Sequence, residues 1–167
     1  GKSGLFLREW AGGPLIKSHR VAPNYFGEGI TILGDRLFQL TWRSRTGFVY
    51  NPKQLRPTGR FRYATEGWGL TDNGAELIMS DGSPKLFFLD PDTFQQIRRL
   101  PVRDGHGEVG RLNELEWVDG VVYANVWETD IIARIDEMTG IVTAWIDLTG
   151  LYPVAKRHRK SHVLNGI

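Results

Sequence analysis

Gly34-Asp35-Arg36-Leu37-Phe38 returns as Gly74-Ala75-Glu76-Leu77-Ile78 and again as Asp119-Gly120-Val121-Val122-Tyr123. Gly34 and Gly74 are 40 residues apart, and Gly120 lies 46 residues further on. A second landmark follows in each unit: Phe48-Val49-Tyr50-Asn51-Pro52, Leu86-Phe87-Phe88-Leu89-Asp90-Pro91, and Ile132-Ala133-Arg134-Ile135-Asp136-Glu137. Asn51, Asp90 and Asp136 are spaced by 39 and 46 residues, so two landmarks give the same repeat. A period near 40 residues is the signature of a stacked or radial architecture. The longer third unit carries about six extra residues, placed in Asp104-Gly105-His106-Gly107-Glu108-Val109-Gly110, whose glycines favour a loop.

Within each unit the segments are short, β-branched or aromatic, and bounded by turn residues, as in the alternating Ile141, Thr143 and Trp145 after Thr139-Gly140. This pattern predicts strands of four to eight residues. The 3.6-residue apolar rhythm that helical repeats of similar period need is absent. About four strands in about 40 residues describe a propeller blade, so the expected fold class is all-β, a β-propeller. Leu5–Val21 reads as the outer two strands of a preceding blade and Val163–Ile167 as the inner strand of a following one. The chain begins without Met and stops inside an apolar pattern. The expectation is a single propeller domain over residues 1–167, cut at both ends, with three full blades and two partial ones.

With 41% hydrophobic and 24% charged residues the chain has the composition of a globular protein. Its 21 basic and 19 acidic side chains leave a net charge of +2, too small a field to imply nucleic acid. Lys156, Arg157, His158, Arg159 and Lys160 form a basic cluster without interleaved aromatics, which reads as a solvated loop rather than an anion-binding patch. There is no cysteine, so disulfide and thiolate chemistry are excluded. No apolar run approaches the roughly 18 residues of a membrane span, and the expectation is a soluble chain with no membrane partner.

In a propeller the first strand of each blade lines the central channel. The blade starts read Tyr25-Phe26-Gly27-Glu28-Gly29-Ile30-Thr31, Glu66-Gly67-Trp68-Gly69-Leu70-Thr71 and Leu112-Asn113-Glu114-Leu115-Glu116. Trp42 and Trp127 fall four residues after Phe38 and Tyr123, so several tryptophans gather near the axis. Each is also compatible with packing between blades. Glu66, Glu114 and Glu116 suit turn-capping as well as channel roles. Glu28 differs: it is flanked by two glycines and preceded by Phe26, which allows close backbone approach and an apolar wall. Such a wall raises a carboxyl pKa into the range useful for proton transfer near neutral pH. His19, His106, His158 and His162 lie away from the blade starts and lack zinc-site spacing, so no metal-ligating residues are assigned. Neither a Gly-x-Ser-x-Gly elbow nor a phosphate-binding glycine loop is present.

The runs YFGEGIT from Tyr25, QLTW from Gln39, EGWGLT from Glu66, MSDGS from Met79, FLDP from Phe88, LNELE from Leu112, YANVW from Tyr123, WIDL from Trp145 and VLNGI from Val163 follow one another along the chain. In that order they resemble the plant and bacterial glutaminyl-peptide cyclotransferase family, described as five-bladed propellers and unrelated to the zinc-dependent animal enzymes. The resemblance implies conversion of N-terminal glutamine to pyroglutamate with release of ammonia, on peptides or proteins bearing that residue. By matching motif it implies a catalytic role for Glu28 and substrate-binding roles for Phe26, Trp42, Trp68, Asn113 and Trp127. It implies no cofactor for the reaction, a monomer, and export to a secreted or periplasmic location. A structural divalent cation in the channel stays open. The family's early Phe-Thr-Gln-Gly-Leu motif and its late Lys-containing motif do not occur in these residues. Two other readings of the same residues stand beside it. One is a metal-dependent lactonase-like hydrolase using Glu66, Asn113, Glu114 and Glu116, and the other is a non-catalytic peptide-binding propeller.

Overall fold

The computed structural model describes residues 3–10, 13–152 and 165–167. Among these there is no α-helix, and three four-stranded antiparallel sheets follow one another in sequence. The first contains β3 (Gly27–Leu33), β4 (Arg36–Thr41), β5 (Thr46–Asn51) and β6 (Arg56–Arg62). The second contains β7 (Leu70–Asp72), β8 (Leu77–Met79), β9 (Lys85–Leu89) and β10 (Gln96–Pro101). The third contains β13 (Leu112–Val118), β14 (Val121–Val126), β15 (Ile131–Asp136) and β16 (Val142–Asp147). Each is a meander with strands in chain order. The expected three blades are therefore present, as an arc that does not close on itself. Before them, β1 (Gly4–Arg8) and β2 (Leu15–Arg20) pair antiparallel, the two outer strands expected at Leu5–Val21.

The first sequence landmark is the turn between the inner two strands of each blade. Asp119 and Gly120 both have positive φ (48° and 82°), the two-residue turn whose twist suits a hairpin, and Gly34 (63°) and Gly74 (85°) sit at the corresponding places. The second landmark is a side-chain-capped turn between the outer two strands. Asn51 Oδ1 accepts from Gln54 N (2.9 Å), Asp90 Oδ1 from Thr93 N (2.7 Å) and Asp136 Oδ1 from Thr139 N (2.8 Å). The repeat is thus a repeat of turn chemistry. The extra residues of the third unit are more ordered than a loop: β11 (Arg103–Asp104) and β12 (Gly107–Glu108) form a tight hairpin, with His106 N donating to Asp104 Oδ1 at 2.8 Å.

The blades pack face to face, and strand alternation decides which residue serves which interface. In the second blade Leu77, Met79, Phe87 and Leu89 join Phe38, Leu40, Val49, Phe61 and Tyr63 of the first. Their neighbours Ile78, Leu86 and Phe88 turn the other way, towards Leu112, Leu115, Val122 and Ile135 of the third. A sheet buried on both faces needs the continuous apolar runs seen at 77–79 and 86–89. Leu5, from β1, packs with Leu37, Tyr50 and Leu55 on the remaining face of the first blade.

A polar clamp also ties the second and third blades. Glu137, only 8% exposed, accepts from Trp117 Nε1 (2.6 Å) and Asn73 Nδ2 (2.6 Å) and pairs with Arg98 (3.2 Å). The Arg98 guanidinium also reaches Glu76 (3.1 Å) and lies 3.3 Å from the centre of the Phe88 ring. The sequence reading had not found this network.

The basic cluster Lys156–Lys160, His158, His162, Val163 and Leu164 lie outside the described residues. Asn165–Ile167, the rest of the expected inner strand, are described but form no strand.

Candidate active site

The inner strands meet at the axis of the arc, where β7 lies beside both β3 and β13. Glycines make the approach close enough for backbone contact. A Cβ on Gly29 would lie 2.5 Å from Leu70 N, and one on Gly69 would lie 2.0 Å from Asn113 O. Gly29 N donates to Trp68 O at 2.7 Å across the first junction. At the second, Ser80 Oγ accepts from Gly69 N (2.8 Å) and donates to Asn113 O (2.6 Å).

Two inner strands are also irregular at candidate site residues. The pairing of β3 with β4 shifts register between Gly27 and Ile30, and that of β13 with β14 shifts between Leu112 and Leu115. Glu28 lies in the first irregularity and Asn113 in the second. A bulge turns side chains out of the strict alternation of a strand, and bulges concentrate at functional sites.

Phe26, Glu28, Trp42, Trp68, Asn113 and Trp127, the six residues singled out from sequence, line one cavity of about 220 Å³ together with Asn165. Phe26 and Trp42 meet edge to face at 6.0 Å, and Trp68 and Trp127 do so at 5.5 Å. Trp42 is held by its backbone N–H on Phe26 O (2.9 Å), and Trp127 by its own on Arg111 O (2.8 Å). Asn113 is buried, and its Nδ2 donates to Asn165 Oδ1 at 3.0 Å. Asn165 was overlooked as a lining residue because the VLNGI run was read as strand, although its amide at a blade start was the same signal as that of Asn113.

Glu28 faces this cavity without a hydrogen-bond partner among the described residues, and burial pushes its carboxyl up to about 7. Glu114 lies beside it, in a polar recess shared with Gly27, Glu28, Gly29 and Asn113. Its carboxyl is also pushed up to about 7, first by burial and then by the charge of Glu116. Glu66 does neither. Its Oε2 accepts from Trp42 Nε1 (2.7 Å) and Trp68 Nε1 (3.0 Å), and its Oε1 lies 3.5 Å from Arg43 Nε.

The four residues of the lactonase reading are not all gathered: Glu66 is turned to the two indoles, while Asn113 and Glu114 share a recess that Glu66 does not line. Cavity size alone does not mark the site. A hollow of about 230 Å³ opens between the first two blades near Tyr63, Phe87 and Phe94, but no carboxylate lines it.

Fold and pocket together define a β-propeller protein with a half-buried carboxyl set among aromatic walls at the channel. The family model for glutamine cyclotransferase matches residues 1–167, and the chain belongs to that family. It is 39% identical over 170 residues to the glutaminyl-peptide cyclotransferase of Arabidopsis thaliana, an alignment covering 100% of this chain and 53% of that protein. The chain thus spans about half the length of the curated relative it matches. It superposes on the crystal structure of Myxococcus xanthus glutaminyl cyclase with a TM-score of 0.84 at 35% identity, covering 92% of this chain and 66% of that one. The BamB structure from Moraxella catarrhalis, at 14% identity and a TM-score of 0.51, shares the fold alone.

Proposed function

We propose that this chain carries the catalytic pocket of a glutaminyl-peptide cyclotransferase, acting on peptides or proteins with N-terminal glutamine. The observation that carries the reading is the convergence of Phe26, Trp42, Trp68, Asn113 and Trp127 around a half-buried Glu28 raised to about 7. The names of the Arabidopsis and Myxococcus relatives supply the reaction.

Cyclisation forms a bond between the substrate α-nitrogen and Cδ of its side-chain amide, breaks the Cδ–N bond, and releases ammonia. Glu28 as carboxylate takes a proton from the attacking nitrogen; as carboxylic acid it returns that proton to the departing NH2, so the enzyme ends as it began. A carboxyl with a pKa near 7 serves both directions at neutral pH, where it is neither too weak a base nor too weak an acid. The aromatic walls fold the glutamine side chain back on its own amine and keep out water that would hydrolyse the amide. Asn113 Oδ1, with Nδ2 already engaged by Asn165, is placed to accept from substrate N–H groups. No step calls for a metal or organic cofactor. A monomer exported from the cytoplasm completes the proposal, as the family resemblance implies.

The test is ammonia release from a Gln-peptide by the full-length protein, with and without chelator. Release insensitive to chelator supports the reading. Lactone hydrolysis abolished by chelator, or peptide binding with no turnover, replaces it with one of the other two.

A further inference from the structure

Glu66 serves the pocket without lining it. One of its oxygens takes the N–H of Trp42, which follows β4, and also that of Trp68, which precedes β7, at 2.7 and 3.0 Å. The other faces the Arg43 guanidinium, whose carbon lies 4.0 Å from the centre of the Trp42 ring. The backbone closes the same junction through Gly67 N on Trp42 O at 3.0 Å. An indole has a single N–H and no acceptor, so one oxygen shared by two indoles sets the distance between rings that belong to different blades.

From this geometry we infer that Glu66 is a positioning residue: it locks two walls of the cavity in the orientation that holds a folded-back glutamine side chain for ring closure. This inference rests on the cyclotransferase reading of the pocket. An ionised acceptor binds N–H groups about twice as strongly as a neutral one, which explains a carboxylate at a place where an amide would also fit. Ring closure needs the amine about 3–3.5 Å from Cδ, and walls that tilt lose that approach.

Glu66→Ala and Glu66→Gln, made in the full-length protein, test it through kcat and KM for ammonia release across pH and through tryptophan emission. Glu66→Ala is expected to lose about 10²-fold in kcat, the cost of misplacing a substrate by about 1 Å, and to shift the emission. Glu66→Gln, which keeps an acceptor oxygen, recovers to within about tenfold of the parent. In both, the titration near pH 7 assigned to Glu28 persists in the pH profile. A folded Glu66→Ala protein with kcat within about twofold of the parent and unchanged emission overturns the inference. So does loss of the titration near 7 in Glu66→Gln, which makes Glu66 itself the proton carrier. If Glu66→Ala does not fold, Glu66→Asp decides by the same kcat criterion, since it withdraws the carboxylate by one methylene. A parent that releases no ammonia removes the cyclotransferase reading, and the emission shift alone then decides whether Glu66 holds the tryptophans.

Discussion

Replacing Glu28 by Gln keeps the shape of the side chain and the volume of the cavity of about 220 Å³ while removing the ability to exchange a proton. No hydrogen bond to the Glu28 carboxyl from the described residues is lost, so the pocket has no structural reason to rearrange. On the role proposed for Glu28, what disappears is general acid–base catalysis, typically worth about 10²–10⁴-fold, or roughly 3–5 kcal/mol of barrier. The expected outcome is a fall of that order in kcat with KM for a Gln-peptide little changed. Stability should move the opposite way from ordinary damage. Burial raises the Glu28 pKa from 4.5 to about 7, so at pH 8 the folded protein holds a partly desolvated carboxylate with no hydrogen-bond partner among the described residues. Gln removes that burden, and the melting temperature at pH 8 should equal or exceed that of the parent. The assay pairs ammonia release with a thermal melt. More than about a tenth of the parental kcat in a normally folded Glu28→Gln protein refutes the role given to Glu28, and Glu114, the other carboxyl at about 7, becomes the residue to test.

Trp68→Phe keeps an aromatic wall but loses the N–H on Glu66, so kcat/KM should fall by less than about tenfold, a change of under roughly 1.4 kcal/mol readable in the same ammonia assay. For Glu28 and Glu114 the folded pKa lies above the unfolded one, so the folded state binds more protons between pH 4.5 and 7. Their contribution is therefore fully present below about 4.5 and lost as pH rises through about 7; melting curves across this window should show the decline, and the Glu28→Gln, Glu114→Gln double variant should reduce it, leaving the part due to Glu116, which burial also raises. Glu137→Ala strands Trp117 Nε1 and leaves Asn73 Nδ2 and the Arg98 guanidinium to Glu76. Breaking a buried pair costs about 3 kcal/mol or somewhat less where Arg98 is partly solvated, to be read as a lower urea midpoint. An unchanged midpoint would show the clamp to be dispensable.

The turns were legible because they depend on local chemistry. A positive φ at Gly120 and a side-chain cap from Asp90 or Asp136 need only neighbouring residues, so their spacing along the chain counted the blades before any sheet was seen. The site was legible to the extent that it follows from blade geometry: a residue at the start of a blade faces the channel, and four such residues, Phe26, Glu28, Trp68 and Asn113, share one cavity with Trp42 and Trp127, which follow the second strands. Three things were beyond the reach of a one-dimensional reading. The bulges that re-aim Glu28 and Asn113 arise from pairing with β4 and β14, and register is a property of two strands. The division of labour among the carboxylates was equally hidden. Glu28 and Glu114 are raised by burial, whereas Glu66 is taken by two indoles contributed by different blades. The Glu137 clamp joins residues as far apart as Asn73 and Glu137, and neither end carries a local sign of the other. Short-range backbone preferences are written in a few adjacent residues, while desolvation and hydrogen-bond partnership depend on what the folded chain brings alongside, and only the tertiary structure decides that.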